Sequence, residues 1–234
     1  ADIATINVEG SGDDAAATFG LLGDGANDYD MTITATGLKS GFTVGTSEVA
    51  DGADIRIDAS AVTGAITIGD VDGATGAAGT AGDAEVIEIT AGGKALDVGT
   101  LDASNDITVT VDKATTVAID DIGGNVATAD VTLDLEAATG LVTLGDVAGA
   151  NVNLKLAGAI GGVRDKDDGK AGEIADSIVF SESLTVTLPE LEANALIADA
   201  AAASTALVVD VTGGTMDDDV TFTSAATNTT MTFK

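Results

Sequence analysis

The sequence predicts an all-β protein, a solenoid-like or multi-sheet architecture with short internal repeats and at most one helix. Three observations support this fold: apolar and polar residues alternate in short segments, one twenty-residue unit occurs twice, and a shorter apolar motif recurs between the copies. A chain of 234 residues is long enough to bury a core. A tandem β-sandwich is the alternative, because a sandwich rich in Thr and Val also contains many short strands.

Alternation with a period of two residues is typical of half-buried strands. Each alternating segment is short, rich in β-branched residues and bounded by Gly, Asn or Asp, which favour turns. The only proline is Pro189, so ladder hydrogen bonds are almost nowhere interrupted. The predicted strands cover residues 31–36, 54–58, 85–90, 106–112, 130–136, 151–156, 183–188, 207–212 and 220–223.

One segment favours a helix instead. Residues 190–203 are rich in Ala and Leu, and they follow Pro189, which suits the first helical position. Acidic side chains in the first turn strengthen the pattern. The sequence therefore predicts one helix over residues 190–203.

Two copies of one unit indicate a repeating architecture. Residues 55–74 align with residues 131–150 at an offset of 76, and ten of the twenty positions are identical, including Gly-Asp-Val at 69–71 and 145–147. A strand, a corner and a second strand every 20 to 30 residues is what a parallel β-solenoid requires. The spacings of the shorter motif, apolar-x-apolar-x-x-apolar, are 30, 21, 25 and 44 residues, the last close to two coils of 22. The motif begins at Ile66, Leu96, Val117, Val142 and Val186.

The domain organisation follows from the repeat. We expect residues 1–234 to form one elongated β domain. Two lobes, 1–163 and 173–234, joined by the Asp-rich loop 164–172, are the alternative.

Composition excludes several classes of function. Nine Lys and Arg against 39 Asp and Glu give a net charge of −30, which repels nucleic acid and anionic lipid. Without Cys or His there is no disulfide, no thiolate or imidazole metal site and no Cys–His or Ser–His catalysis. No stretch approaches the ~18 consecutive apolar residues of a membrane helix. Because no carboxylate pair stands out and aromatic side chains are scarce, we expect a protein that is not an enzyme and does not span a membrane.

Turns rich in Asp, Asn and Gly supply the oxygen ligands that Ca²⁺ prefers. The sharpest candidate is the segment 165–176, which resembles part of an EF-hand loop; a second is the segment 23–30, and the repeat turns are a third. Each turn is also compatible with simple solvation. The candidate Ca²⁺ ligands are Asp165, Asp167, Asp168, Glu173, Asp176, Asp24, Asp28, Asp30, Asp70 and Asp72.

The chain resembles bacterial surface-layer (S-layer) proteins and related RTX-type secreted surface proteins. The resemblance lies in the Thr-, Ala-, Gly- and Asp-rich, Cys-free composition and in the repeated strands, while residues 23–28 match the RTX nonapeptide only as one degenerate copy with an inserted Ala. It implies Ca²⁺ dependence, a secreted or cell-surface location and self-assembly into a lattice, with a separate cell-surface anchor.

We therefore expect a non-enzymatic extracellular structural protein that assembles with copies of itself into a lattice or filament. The segments 2–8 and 220–233 read as strands, so either is able to extend the sheet of a neighbouring copy. A calcium-rigidified adhesin or stalk is the alternative. Ice binding is a third, because Thr-x-Thr pairs occur at residues 32–36, 108–110, 185–187, 221–223 and 230–232.

Overall fold

The computed structural model describes most of the chain, and every regular element in the described part is a β-strand. The all-β prediction is confirmed. The described residues are 2–23, 29–49, 52–73, 84–124, 127–158, 163–166, 177–188, 195–200, 207–213, 219–223 and 229–234.

Within the described residues, no other regular element lies between one strand and the next. The first eleven are β1 (Asp2–Glu9), β2 (Ala16–Phe19), β3 (Tyr29–Thr36), β4 (Gly41–Val44), β5 (Ser47–Val49), β6 (Ile55–Ala61), β7 (Ala65–Ile68), β8 (Val71–Gly73), β9 (Ala84–Ala91), β10 (Ala95–Val98) and β11 (Leu101–Val111). The others are β12 (Thr116–Ile119), β13 (Ile122–Gly124), β14 (Asp130–Asp134), β15 (Val142–Leu144), β16 (Val147–Lys155), β17 (Val163–Asp165), β18 (Ile178–Leu188), β19 (Ala195–Ala200), β20 (Leu207–Gly213), β21 (Asp219–Thr223) and β22 (Thr229–Phe233). All nine predicted strand segments overlap these strands, and four of them, 54–58, 106–112, 130–136 and 151–156, extend one or two residues beyond a strand end.

The strands form three faces, which the chain visits in the order A, B, C as far as β18; after β18 the described strands lie on faces C and A in turn. Face A consists of β1, β3, β6, β9, the end of β11, β14, the ends of β16 and β18, β20 and β22. Face B is the seven-stranded sheet β2, β4, β7, β10, β12, β15 and β17. Face C consists of β5, β8, the start of β11, β13, the starts of β16 and β18, β19 and β21. Because β11, β16 and β18 each turn the corner from face C into face A, these two faces form one fifteen-stranded sheet.

All strand pairs in the described part of the chain are parallel, and each coil stacks on the next. A parallel, three-sided β-solenoid results. The sandwich alternative is wrong, because β-sandwiches are built from antiparallel sheets. Face A also continues from β16 directly to β18, so the sheet is unbroken across residues 156–177.

The register explains the 76-residue repeat. Ile57 pairs with Ile89, Ile89 with Val109, and Val109 with Leu133, so the two copies occupy the same place on face A three coils apart. The motif spacings 30, 21 and 25 are the coil lengths along face B.

The fifth copy of the motif lies elsewhere. The face B partner of Val142 is Val163, whereas Val186 pairs with Leu154 on face A. Its assignment to the same series is therefore wrong.

The core fills the interior between the three faces. Alternate residues of most strands point inward, and equivalent residues stack coil upon coil into apolar ladders such as Ile33, Ile57 and Ile89, each at most 1% exposed. Burying one such side chain contributes about 1.5–3 kcal/mol. The alternation seen in the sequence is therefore the inward and outward pattern of the solenoid.

The helix predicted over residues 190–203 is wrong, because residues 195–200 form β19, a strand paired with both β18 and β21. Two ladders of backbone hydrogen bonds override the weak helical preference of Ala and Leu. The remaining residues of that segment lie outside the described part of the chain.

Candidate functional site

Six of the ten candidate calcium ligands lie outside the described residues: Asp24, Asp28, Asp167, Asp168, Glu173 and Asp176. The other four are dispersed over the solenoid. Asp30 is the second residue of β3 on face A, Asp70 lies at the corner between faces B and C, Asp72 is in β8, and Asp165 is a fully buried residue of β17. In the described part of the chain, no three acidic side chains form a group suited to a metal ion.

The corner between faces B and C uses its aspartates to connect coils. The Oδ1 atom of Asp70 accepts a hydrogen bond of 3.0 Å from the backbone N–H of Thr100 in the next coil. The Oδ1 atom of Asp121 accepts the equivalent bond from the N–H of Asp146, also at 3.0 Å. A charged acceptor makes such a bond stronger than a neutral one, about 1.5–3 kcal/mol. These carboxylates bind the backbone of the solenoid.

The glycine before each corner position makes this arrangement possible. A Cβ atom at Gly99 would lie 2.4 Å from the Oδ1 atom of Asp70, and one at Gly145 would lie 2.5 Å from the Oδ1 atom of Asp121. Only glycine leaves room for the carboxylate of the preceding coil. The Gly and Asp residues of the Gly-Asp-Val run therefore help one coil to stack on the next.

The start of face A carries a second ladder of polar side chains. The Oδ1 atom of Asp30 accepts the N–H of Asp54 at 3.1 Å, and that of Asp106 accepts the N–H of Asp130 at 3.3 Å. The side-chain amide of Asn151 donates to Asp130 at 2.8 Å and to Glu182 at 3.1 Å. The amide thus bridges two carboxylates that would otherwise repel each other.

A shallow depression at the B–C corner is lined by Thr100, Asp120, Asp121, Gly145 and Lys166. The ammonium group of Lys166 forms an ion pair with the Oδ1 atom of Asp120. The lysine therefore neutralises an acidic corner, and it places a positive charge where a bound cation would be repelled.

Two columns of outward side chains run along face A through all ten of its strands. The first column contains Thr5, Thr32, Arg56, Glu88, Thr108, Thr132, Asn153, Thr185, Asp210 and Thr232. The second contains Asn7, Thr34, Asp58, Thr90, Thr110, Asp134, Lys155, Thr187 and Thr212, and it ends at Lys234 beside the last strand. The structure therefore brings three Thr-x-Thr pairs into register, those beginning at residues 32, 108 and 185.

Six of the seven charged residues of these columns form ion pairs, and the seventh, Asp58, accepts hydrogen bonds from Ser60. Lys155 Nζ lies 2.7 Å from Asp134 Oδ2, and Lys234 Nζ lies 3.4 Å from Asp210 Oδ2. Hydrogen bonding and the negative charge of Asp134 raise the pKa of Lys155.

Arg56 forms the third set of ion pairs on this face. Its guanidinium contacts Asp54 at 2.7 Å and Glu88 at 3.4 Å. Burial lowers the pKa of Arg56, but the hydrogen bond and charge of Asp54, with Glu88 and Asp30 nearby, raise it overall. The bases of face A therefore neutralise acids of the same face.

Both ends of face A present open strand edges within the described residues. The strand β1 pairs only with β3, and β22 pairs only with β20. In β22 the core-facing side chains are exposed, Met231 by 40% and Phe233 by 55%, whereas their register partners Val209 and Val211 are 1% and 4% exposed. At the other end the core-facing side chains of β1 are only partly buried. Apolar surface and unpaired backbone groups therefore coincide at each edge.

Sequence reasoning identified the two terminal strands but missed the paired charges of face A. Arg56 and Glu88 are 32 residues apart and meet only because one coil separates them. The spacing of the motif does not give this register, because the same coil measures 30 residues between Ile66 and Leu96 on face B and 32 residues on face A.

Comparison with known proteins found no matching protein family, no similar curated protein and no similar solved structure. Among the described residues, no helix has the length and apolar character needed to cross a membrane.

Proposed function

We propose that this chain is a non-enzymatic structural protein of the cell exterior, whose copies assemble into a filament or lattice through the ends of the solenoid. The observation that carries the proposal is the open edge of β22. Its inward side chains Met231 and Phe233 continue the apolar ladders of the core, but no strand of the described chain covers them.

An edge strand with unpaired N–H and C=O groups is a template for another strand. The edge of β1 offers the same parallel hydrogen-bonding pattern together with the partly buried apolar side chains Ile6 and Val8. Placing β1 of one copy beside β22 of another extends face A across the junction. Because the two edges differ, the contact is heterologous, and repeated head-to-tail contacts generate an open filament.

The proposal includes stabilisation by Ca²⁺. At a net charge of −30 the compact chain repels itself, and an ion that binds only the folded state stabilises it by mass action. The described carboxylates of Asp30 and Asp70 accept backbone hydrogen bonds, so the Asp-rich segment beyond β17 is the favoured position for such an ion.

The test of end-to-end assembly compares two substitutions of matched character. Phe233→Asp places a charge on the open edge, whereas Val208→Asp does so at a side chain of similar exposure, 51% against 55%, on a strand paired on both sides. Sedimentation velocity of the 234-residue chain at increasing concentration should show large species for the unsubstituted protein and for Val208→Asp. Phe233→Asp should shift the distribution to small species.

Two outcomes would contradict the proposal. The first is that the unsubstituted chain remains monomeric at every concentration in Ca²⁺. The second is that Phe233→Asp assembles as well as the control variant Val208→Asp. Circular dichroism of both variants shows whether each keeps its β structure, so that a loss of assembly is not mistaken for a loss of folding.

A further inference from the structure

The two terminal strands of face A lack the features that usually block an open sheet edge. Native proteins protect such edges with charged side chains, prolines or β-bulges. Each of the eight strands of face A between β1 and β22 contains at least one charged residue, whereas β22 contains none and β1 has charges only at its two ends, Asp2 and Glu9. Bulges interrupt three inner pairings, but the β1–β3 and β20–β22 pairings are regular. Both edges are therefore open to another strand.

The core-facing columns of face A present apolar side chains at both of its ends. The column of Met231 runs through every strand of the face and ends at Ala4, and the column of Phe233 ends in the same way at Ile6. Met231 and Phe233 are 40% and 55% exposed, and Ala4 and Ile6 are only partly buried. Within the chain Ala4 already pairs with Met31, so this column accepts a methionine beside the alanine. Each end of the two columns therefore offers the surface that the other end needs.

We propose that copies of this chain join in one register, with β22 of one copy parallel to β1 of the next, so that Met231 pairs with Ala4 and Phe233 with Ile6. The inference rests on the proposed function and specifies its junction. In this register Thr232 pairs with Thr5, so the outward column continues as well. The partner that fits this edge is a second copy, because it supplies a parallel strand whose side chains occupy the same columns.

Two features of the solenoid disfavour the neighbouring registers. A shift by one residue would set Met231 and Phe233 beside outward residues, because a one-residue slip turns every side chain to the other side of the sheet. A shift by two residues keeps them inward but displaces every corner of one copy by about 6.6 Å relative to the next. The corners of this chain stack closely, since a Cβ atom at Gly45 would lie 2.8 Å from the carbonyl oxygen of Gly20 in the preceding coil. Only the unshifted register lets faces and corners continue across the junction.

The register shifted by two residues is the main competitor, because it would set Lys234 of one copy beside Glu9 of the next. Lys234 already lies 3.4 Å from Asp210 of its own copy, and its side chain is exposed. Glu9 is exposed too, and an ion pair between exposed side chains contributes little to stability. The continuous core columns and the stacked corners therefore outweigh this pair.

Disulfide cross-linking of the 234-residue chain tests the register, because the sequence contains no cysteine of its own. The double variant Thr5→Cys with Thr232→Cys places two cysteines about 4.8 Å apart, Cα to Cα, across the proposed junction, which a disulfide can bridge. The matched control, Thr5→Cys with Thr230→Cys, places them about 8 Å apart, which is too far. Within one copy roughly 43 Å of face A separates β1 from β22, so every disulfide must join two copies.

After mild oxidation, non-reducing gel electrophoresis should show a ladder of two, three and more linked chains for Thr5→Cys with Thr232→Cys, and single chains for the control. A mixture of the single variants Thr5→Cys and Thr232→Cys should give linked dimers, and neither single variant should give them alone. Reductant should return every ladder to single chains. Circular dichroism shows whether each variant keeps its β structure.

Any other pattern overturns the proposed register. Cross-links in the control alone would show the shifted register, and cross-links in both double variants would show that no register is fixed. Dimers of one single variant alone would show that like edges pair. If neither double variant cross-links but the unsubstituted chain forms large species that Phe233→Asp loses, the ends meet in another geometry and the proposed function stands. If the unsubstituted chain also stays monomeric, the proposed function fails with the register.

Discussion

Replacing Gly145 with Ala tests the way in which the coils stack. The new Cβ atom would lie 2.5 Å from the Oδ1 atom of Asp121 and 2.9 Å from the carbonyl carbon of Asp120. Real Cβ atoms do not approach other atoms below 3.0 Å, so the carboxylate and the backbone of the preceding coil must move. The Asp121 carboxylate then loses its hydrogen bond from the N–H of Asp146.

Both effects destabilise the folded chain. Overpacking against backbone costs about 1–3 kcal/mol, and the loss of a hydrogen bond to a charged acceptor costs about 1.5–3 kcal/mol. Because the two costs share one displacement, we expect a total of about 2–4 kcal/mol. For a chain of this size each kcal/mol lowers the melting temperature by roughly 2–4 °C, so Gly145→Ala should melt at least about 4 °C below the unsubstituted protein.

The chain provides a matched control at the same corner. Gly20 lies in the first coil of the column that contains Gly145, and no atom lies within 4 Å of the position of its Cβ. Gly20→Ala should leave the melting temperature unchanged or raise it slightly, because Ala restricts the unfolded chain more than Gly does. Differential scanning calorimetry measures both variants. Equal melting temperatures for Gly145→Ala and Gly20→Ala would contradict the conclusion that Gly145 leaves room for the carboxylate of Asp121.

Two further predictions concern charge. Lys155→Met removes the ion-pair partner of Asp134. The pKa of Lys155 is raised above 10.5 in the folded state. The ion pair therefore stabilises the folded chain below pH 10.5, and this stabilisation is lost as the pH rises through the folded-state pKa. The melting temperature of Lys155→Met should therefore lie below that of the unsubstituted protein at pH 8, and the difference should be smaller at pH 11. A difference of the same size at both pH values would contradict the ion pair between Lys155 and Asp134. Excess chelator at constant ionic strength should lower the melting temperature by several degrees, because one Ca²⁺ site stabilises the folded chain by about 2.7 kcal/mol when the ion is at a hundred times its dissociation constant. The double substitution Asp167→Ala with Asp168→Ala should reproduce part of this decrease. Identical melting curves in millimolar Ca²⁺ and in chelator would show that the Asp-rich turns hold no stabilising ion.

The fold was largely predictable because in a solenoid the local sequence pattern determines which residues of each strand face the core. Alternation gives the inward and outward faces of each strand, and the 76-residue offset between Ile57 and Leu133 equals three coils. The failures arose where tertiary pairing decides the outcome. Residues 195–200 form a strand because β18 and β21 lie on either side of them, which composition does not reveal.

The candidate sites were less predictable than the fold. Asp70 has the residue type and the turn setting of a calcium ligand, yet its Oδ1 atom accepts the N–H of Thr100, 30 residues further along the chain. The columns of face A likewise depend on unequal coil lengths. A pattern within one coil cannot show which side chain of the next coil lies beside it, and the function of each outward residue depends on that neighbour.

Electron cryomicroscopy of the concentrated 234-residue chain in Ca²⁺ tests the central claim most directly. If the copies assemble through their open edges, the images should show filaments or sheets in which the strand spacing of about 4.7–4.9 Å continues across every junction between copies. Separate single solenoids at all concentrations, or assemblies whose strand spacing breaks off at each junction, would contradict assembly through the ends of face A.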